Sequence, residues 1–231
     1  MKLITLPFAG GNKYSLSFLK RKVFDMQVIN LEYPGRGARN SESFLEDIDA
    51  VVNDIFIKII NEIGEEPYII YGHSLGALVG YLVCQKIEES GVRQPLKLVV
   101  SGRKAPSIER DKTLSHLPDQ LFWEEVIKIG GIPNELHDHH ELINFYRPIL
   151  RADFKIFESY NYVKKKKLNL PIDVFYGTEE EISENEVKEW ENESTEEVVV
   201  KSLKGNHFFI YNHEDFFVNY FNSLAKNLVY N

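Results

Sequence analysis

The sequence predicts an α/β protein built on a mostly parallel sheet of about six to seven strands. Short apolar runs rich in valine and isoleucine recur along it, at residues 3–6, 28–33, 68–71, 96–100, 172–176 and 198–203. Their apolarity is continuous rather than alternating, which is typical of strands buried on both faces of a parallel sheet. Helix-length segments separate these runs, and such alternation indicates right-handed crossovers. We expect one domain, residues 1–231, because the chain is long enough for a single sizeable core.

Two of the intervening helices carry boundary signals. Ser43 and Glu46 have the spacing of a capping box, and the apolar stripe that follows stops at Gly64. The last helix is expected to begin near Asn212 and carries two acidic residues, Glu214 and Asp215, in its first turn. We therefore expect one helix to end at Gly64 and the last helix to start near Asn212.

One segment breaks the alternation of strands and helices. About 70 residues separate the fourth apolar run from the fifth, far more than a crossover requires. Apolar stripes at 122–129 and 141–162 indicate that much of this segment is helical. We therefore expect a helical insertion, about residues 110–165, over one end of the sheet, and we call it the lid.

Composition and charge exclude several classes of function. The net charge of −8 argues against binding to nucleic acid. The single cysteine, Cys84, excludes an internal disulfide and fits a reducing compartment. No run approaches the ~18 apolar residues that a membrane span needs, and residues 1–11 do not resemble a signal peptide. We expect a soluble, cytoplasmic monomer that binds neither nucleic acid nor a membrane.

Residues 68–82, YIIYGHSLGALVGYL, place a serine between a strand and a helix. Gly72-His73-Ser74-Leu75-Gly76 fits the G-x-S-x-G turn in which a strained serine stands exposed and small neighbours make room for it. The helix N-terminus adds a positive potential and a free N–H from Leu75. Ser74 is therefore a candidate nucleophile, although it could instead only cap the helix.

A second loop could stabilise negative charge. Residues 6–11, LPFAGG, end the first strand and open into a Gly-Gly loop, here called the oxyanion loop. Acyl transfer needs two N–H donors for the oxyanion of its tetrahedral intermediate. Leu75 can supply one, and Ala9 or Phe8 the other. The alternative is a simple glycine turn.

Histidines supply a candidate base. His207, in KGNHFFI, follows the last strand and so lies at the same edge of the sheet as Ser74. His213 falls in the first turn of the last helix, and His73 is held on the strained turn, where it cannot reach around to the serine. The stretch HDHH at 137–140 could bind a metal, but no further cluster accompanies it, so we favour a solvated helix start.

Together these segments resemble the type II thioesterases, stand-alone α/β-hydrolases that serve nonribosomal peptide, polyketide and fatty acid synthases. LPFAGG resembles the family's oxyanion loop, YGHSLGAL its serine turn and GNHFFI its histidine loop. LEYPGRGAR (31–39) resembles its signature after the second strand. Residues 117–136 and 148–160 resemble its helical lid, so the likeness spans residues 3 to about 225 and implies an α/β-hydrolase fold.

The resemblance implies a thioesterase that acts on acyl groups held on the phosphopantetheine arm of carrier proteins. Ser74 would attack the thioester with His207 as general base, and the Ala9 and Leu75 N–H groups would hold the oxyanion. Neither a cofactor nor a metal is expected. A carboxylesterase or lipase acting on free esters, and a hydrolase fold kept only for binding, are the alternatives.

The third member of the triad departs from the family's pattern, because the family uses an aspartate where this chain has three glutamates, 179–181. Chain order places the acid in the loop after the fifth strand. Counting on from Gly177 selects Glu180, which we favour, and counting back from Ile182 and Trp190 selects Glu179. Asp153 in the lid is the reserve candidate.

Basic residues after the fourth strand suggest where a carrier protein docks. Arg103 and Lys104 follow residues 96–100 and are expected on the rim of the active site. Because carrier proteins are usually acidic and this chain is acidic too, a local basic patch could offset their repulsion. A solvated loop is the alternative interpretation.

Overall fold

The computed structural model describes residues 1–130 and 139–229, which form a six-stranded sheet. The strands are β1 (Lys2–Leu6), β2 (Gln27–Asn30), β3 (Tyr68–His73), β4 (Lys97–Ser101), β5 (Ile172–Gly177) and β6 (Val198–Leu203). Their order is β2-β1-β3-β4-β5-β6, and every neighbouring pair is parallel. The predicted α/β class and parallel sheet are confirmed.

Helices connect the strands and cover both faces of the sheet. They are α1 (Ser17–Lys22), α2 (Ile48–Ile63), α3 (Leu75–Glu89), α4 (Asp119–Ile129), α5 (His140–Ser159), α6 (Glu184–Lys188), α7 (Phe209–Asn212) and α8 (Glu214–Val229). Short 3₁₀ turns lie at Gly37–Arg39 and Glu189–Asn192. No helix of the described residues is long and apolar enough to cross a membrane.

The continuous apolarity of the strands follows from burial on both faces. Along β1, Ile4 and Leu6 pack into the core that contains α2 and α3, whereas Leu3 packs into the core that contains α1 and α8. Successive side chains of a strand point to opposite faces, so both sets must be apolar. The two cores hold the sheet rigid, and its carboxyl edge can therefore position catalytic loops.

Helix boundaries differ from the sequence expectation at α2. Gly64, with φ +53°, ends the helix as predicted, but the helix starts at Ile48 and not near Ser43. Asp47 is its N-cap, because its carboxylate accepts the Ala50 N–H at 3.0 Å. The reciprocal capping box lies instead at α6, between Ser183 and Glu186.

The helices between β4 and β5 are α4 and α5, and both fall within the range expected for the lid. They share a small apolar core of their own, made of Leu114, Phe122, Trp123, Val126, Ile143 and Leu150. His140 is the first residue of α5, and His137 lies outside the described residues. The lid thus packs as a unit above the carboxyl edge of the sheet.

Candidate active site

The turn between β3 and α3 holds Ser74 in a strained conformation. Its φ of +55° is the only positive φ of a non-glycine residue in the described parts of the chain. A Cβ on Gly72 would lie 2.0 Å from the Gly76 carbonyl oxygen, and a Cβ on Gly76 would lie 2.3 Å from that of Leu6. The glycines therefore allow the turn to pack against the end of β1. The Ser74 hydroxyl does not cap α3, so it is free for chemistry.

His207 and Glu180 meet at the same edge of the sheet. The His207 Nδ1 lies 2.8 Å from one Glu180 carboxylate oxygen, and the other oxygen accepts the Gly177 N–H at 2.7 Å. The Glu180 side chain is 2% exposed and that of His207 18%. An Nδ1–H that donates to this carboxylate leaves Nε2 free to accept a proton. His207 lines one cavity together with Ser74.

The other acidic candidates lie elsewhere. Glu179 and Glu181 are exposed, although Glu181 borders the cavity. Asp153 is fully buried and is held by Arg36, which donates from both terminal nitrogens, one of them at 2.6 Å. Of the candidate carboxylates, Glu180 is therefore the one that contacts His207.

Asp153 instead organises the oxyanion loop. Its carboxylate accepts the Gly10 N–H at 2.7 Å, and the Gly11 N–H is bonded to the Phe8 carbonyl at 2.9 Å. These bonds occupy the N–H groups of Gly10 and Gly11. The N–H groups of Phe8 and Ala9 are the donors of the loop that are left for an oxyanion. Both residues line the cavity beside Leu75, the first residue of α3. The loop and the helix N-terminus thus face the same space.

The segment LEYPGRGAR is the scaffold on which this loop rests. The Tyr33 hydroxyl donates to the Pro7 carbonyl at 3.0 Å. Glu32 accepts the Lys13 N–H at 3.1 Å and the Ala38 N–H at 2.8 Å. With the ion pair between Arg36 and Asp153, these contacts tie the segment to both the oxyanion loop and α5. The sequence marked this segment only through a family resemblance, which assigns no partner to Arg36.

His73 lies beneath the site and is not its base. Its Nδ1 is 2.8 Å from the Ser101 hydroxyl, which is 2.9 Å from that of Tyr71. The ring centroids of His73 and His207 are 5.0 Å apart. Burial, and secondarily the nearby His207, lower the pKa of His73 well below its usual value. A neutral imidazole therefore packs under His207. His213 is also turned away, with Nε2 2.7 Å from the Lys204 carbonyl oxygen.

A cavity of about 500 Å³ connects the serine turn to the lid. Apolar side chains of α4 and α5 form its roof, namely Trp123, Val126, Ile129, Leu142, Tyr146, Leu150, Phe154 and Phe157. Ser74, His207 and the oxyanion loop form its floor. Such an enclosure suits an apolar group attached to a reactive carbonyl.

The expected basic docking patch is not present as an exposed surface. Arg103 is only 9% exposed and lines the cavity rather than its rim. Lys104 is engaged by Asp111 at 2.9 Å and by Glu186 at 3.4 Å. The sequence could not reveal this, since Glu186 and the covering helix α5 come from distant parts of the chain. In residues 1–130 and 139–229 no cluster of histidine, cysteine and acidic side chains could hold a metal ion.

Comparisons with known proteins identify the family and the fold. A family profile described as "Thioesterase domain" matches residues 1–224. The gramicidin S biosynthesis protein GrsT of Aneurinibacillus migulanus is 31% identical over 216 residues, which cover 91% of this chain and 83% of GrsT. ClbQ, from the colibactin NRPS/PKS pathway, is 28% identical with a TM-score of 0.91 over 98% of this chain and 97% of its own. YbtT, a type II thioesterase from the yersiniabactin NRPS/PKS pathway, is 28% identical with a TM-score of 0.82 over 99% and 91%.

Proposed function

The chain belongs to the thioesterase family, and from this premise we propose that it hydrolyses acyl thioesters on the phosphopantetheine arm of carrier proteins. One observation carries the proposal. His207, which contacts the Glu180 carboxylate at 2.8 Å, lines the same apolar cavity as the strained Ser74. A nucleophile, a base and an oriented carboxylate on one sheet edge are what acyl transfer through a covalent intermediate requires.

The residues divide the reaction as follows. The Ser74 hydroxyl attacks the thioester carbonyl while His207 Nε2 takes its proton, and the Ala9 and Leu75 N–H groups hold the oxyanion. The C–S bond then breaks, and His207 returns the proton to the departing pantetheine sulfur. Water, deprotonated by His207, attacks the acyl–serine ester. Collapse of the second intermediate releases the carboxylic acid and restores the Ser74 hydroxyl.

Glu180 and His73 tune the base from two sides. The Glu180 carboxylate fixes the His207 tautomer and stabilises the imidazolium that forms in each step. His73 stays neutral beneath it, because burial lowers its pKa. No second positive charge therefore lies under the imidazolium.

The names of its relatives suggest the setting in which the chain works. GrsT is named for gramicidin S biosynthesis, and ClbQ and YbtT come from NRPS/PKS pathways. By similarity, the partners are phosphopantetheinylated acyl or peptidyl carriers of such an assembly line. The role is to clear mis-primed or stalled acyl groups and so regenerate the carrier.

The test is hydrolysis of acyl-carrier thioesters by the wild type and by Ser74→Ala. We expect the wild type to release the acid and the free carrier thiol, and the variant to lose at least about 10³-fold in kcat. A fluorophosphonate should label the wild type and not the variant. Faster turnover of simple oxygen esters than of carrier thioesters would favour a carboxylesterase instead, and no labelling would favour a binding protein.

A further inference from the structure

Arg103 differs from the other buried charged side chains of the described residues. Each of those has a polar partner: Glu32 accepts two backbone N–H groups, Arg36 pairs with Asp153, Asp173 with Lys97, and Glu193 with Tyr81. The guanidinium of Arg103 makes no hydrogen bond or ion pair with any described residue, and its Nε is fully enclosed. An uncompensated buried charge is costly, so its retention calls for a reason.

One face of this guanidinium is covered by an aromatic ring, and its terminal N–H groups have no partner among the described residues. Its central carbon lies 4.5 Å from the centroid of the Phe157 ring on α5. The side chain lines the active-site cavity and also a second cavity of about 460 Å³. Stacking on an aromatic ring leaves the N–H groups of the edge directed outward, in the fork that matches a carboxylate.

The second cavity is polar and carries excess positive charge. Besides Arg103 it is lined by Arg110, by Ser107 and by three residues after α5: Tyr160, Asn161 and Tyr162. The Ser107 hydroxyl is enclosed without a partner among the described residues. Glu109 borders this cavity too, but it is exposed and forms no ion pair with Arg103. Burial lowers the pKa of Arg103 to about 10, with Arg110 as a lesser cause, and so Arg103 remains charged at neutral pH.

Arg103 and Ser74 line the same cavity, and the ends of their strands are hydrogen-bonded. The Ser74 N–H donates to the Ser101 carbonyl at 2.8 Å, and Gly102 alone separates Ser101 from Arg103. Neighbouring strands lie about 4.8 Å apart, so the backbone of Arg103 lies near that of Ser74. A group held by Arg103 would therefore belong to the acyl part of the substrate.

We propose that Arg103 binds a carboxylate carried by the acyl group, and that the chain prefers carboxyacyl thioesters to neutral ones of the same shape. This inference rests on the proposed function. A phosphate would offer the same oxyanion chemistry, but the phosphate of the pantetheine arm lies at the opposite end of the substrate from the acyl chain. The site beside Ser74 therefore favours the carboxylate.

The experiment compares matched pairs of thioesters. Dicarboxylic acyl chains of three to six carbons are each paired with the methyl ketone that replaces the terminal carboxylate by an acetyl group. Both are offered on pantetheine and on phosphopantetheine, and uncatalysed hydrolysis is subtracted. We expect kcat/KM of the wild type to favour at least one carboxylate over its ketone by about tenfold or more.

Variants test whether Arg103 is the cause. Arg103→Met keeps the length and the apolar contact with Phe157, and it should bring the carboxylate-to-ketone ratio close to one. Arg103→Lys, which keeps a charge but loses the fork, should retain part of the ratio. Arg151→Met is the matched control, since Arg151 is also 4.5 Å from a ring, that of Phe122, but is paired with Asp119. It should leave the ratio unchanged.

Each outcome decides the matter. A wild type that hydrolyses both members of every pair equally overturns the inference and leaves the proposed function intact. If Arg103→Met loses kcat/KM equally for the carboxylate and the ketone of each pair, Arg103 serves packing alone. That result also overturns the inference. If Arg103→Met lowers kcat/KM for phosphopantetheine thioesters and not for pantetheine thioesters, the anion that Arg103 binds is the phosphate. That result would contradict the proposed binding of a carboxylate. No hydrolysis of any thioester by the wild type would overturn both proposals. If Arg103→Met fails to fold, Arg103→Lys still tests the role of Arg103, and an undiminished carboxylate-to-ketone ratio in that variant overturns the inference.

Discussion

Glu180 illustrates how one residue can serve a structural and a catalytic demand together. One carboxylate oxygen accepts from Gly177 and the other from His207, so the carboxylate is held between a backbone turn and the imidazole. The longer glutamate side chain reaches the histidine although the family uses aspartate. Two bonds to fixed groups compensate for its additional rotatable bond.

Replacing the Glu180 carboxylate distinguishes its role from those of the neighbouring glutamates. Glu180→Gln should lower kcat by roughly 10²–10⁴-fold, because the amide cannot stabilise the imidazolium and favours the wrong tautomer. Steady-state hydrolysis of an acyl-pantetheine thioester measures this. Glu181→Gln, an exposed neighbour, is the control and should stay near the wild type. Near-normal activity of Glu180→Gln would mean that another carboxylate orients His207.

His73 should make the stability of the folded chain depend on pH. Burial depresses its folded-state pKa below the usual 6.5, so below about pH 6.5 the unfolded chain binds a proton that the folded chain does not. The free energy of unfolding should therefore fall as the pH falls from 7 to 5, by up to about 2 kcal/mol from this residue. Urea unfolding measures this. The free energy of unfolding should change less with pH in His73→Gln than in the wild type. Identical slopes would contradict the assignment of a depressed pKa.

At the scale of elements, α5 both roofs the cavity and supports its floor. Asp153 on this helix holds the Gly10 N–H and Arg36, which joins the lid to the oxyanion loop and to the segment after β2. The ion pair between Asp153 and Arg36 is buried, with Asp153 fully enclosed, so it is shielded from water. The lid helix is therefore part of the catalytic scaffold and not only a cover.

Breaking this link should affect both stability and catalysis. Asp153→Asn leaves Arg36 buried without a counter-charge and should lower the free energy of unfolding by about 3–5 kcal/mol. Replacing both residues by leucine should recover much of that loss. The single variant should also lower kcat more than it raises KM, because Gly10 positions the oxyanion donors.

Asp54→Asn provides the matched control for that variant. Asp54 also pairs with an arginine through both oxygens, at 2.7 and 2.8 Å from Arg39, but it is partly exposed. Its loss should cost no more than about 1 kcal/mol and leave kcat unchanged. Equal losses in the two variants would show that burial of the pair does not matter.

At the scale of the whole molecule, charge opposes the proposed partner. The chain carries a net charge of −8, and carrier proteins are usually acidic. The basic residues nearest the cavity do not offset this, since Arg103 is buried and Lys104 is paired with two carboxylates. Encounter with a carrier therefore proceeds against a net repulsion.

Salt should reveal this repulsion. Raising the ionic strength from about 0.02 to 0.2 M shortens the screening length to below about 10 Å and should lower KM for an acyl-carrier substrate. The same acyl group on pantetheine is the control, and its KM should stay constant. A KM that rises with salt for the carrier alone would show instead that an attractive basic patch governs docking.

The sequence alone determined the features that depend on short stretches of chain. The strand–helix alternation, the six apolar runs and the glycine-flanked Ser74 are set by neighbouring residues, whose sterics and periodicity hold in any context. Counting on from Gly177 favoured Glu180, whereas counting back from Ile182 and Trp190 selected Glu179. The structure brings Glu180 to His207. The capping box at Ser43 was wrong, because an equally local competitor, Asp47, stands next to the first helical residue.

Only the tertiary structure decided which charged groups are buried and what they meet. Asp153 and Gly10 are 143 residues apart in sequence, and no local pattern reports their contact. Arg103 follows β4 as a solvated rim residue would, yet α5 covers it because the lid folds back over the sheet edge. A charge's energy depends on its burial and on the distance to its partners, and both are properties of the packed chain.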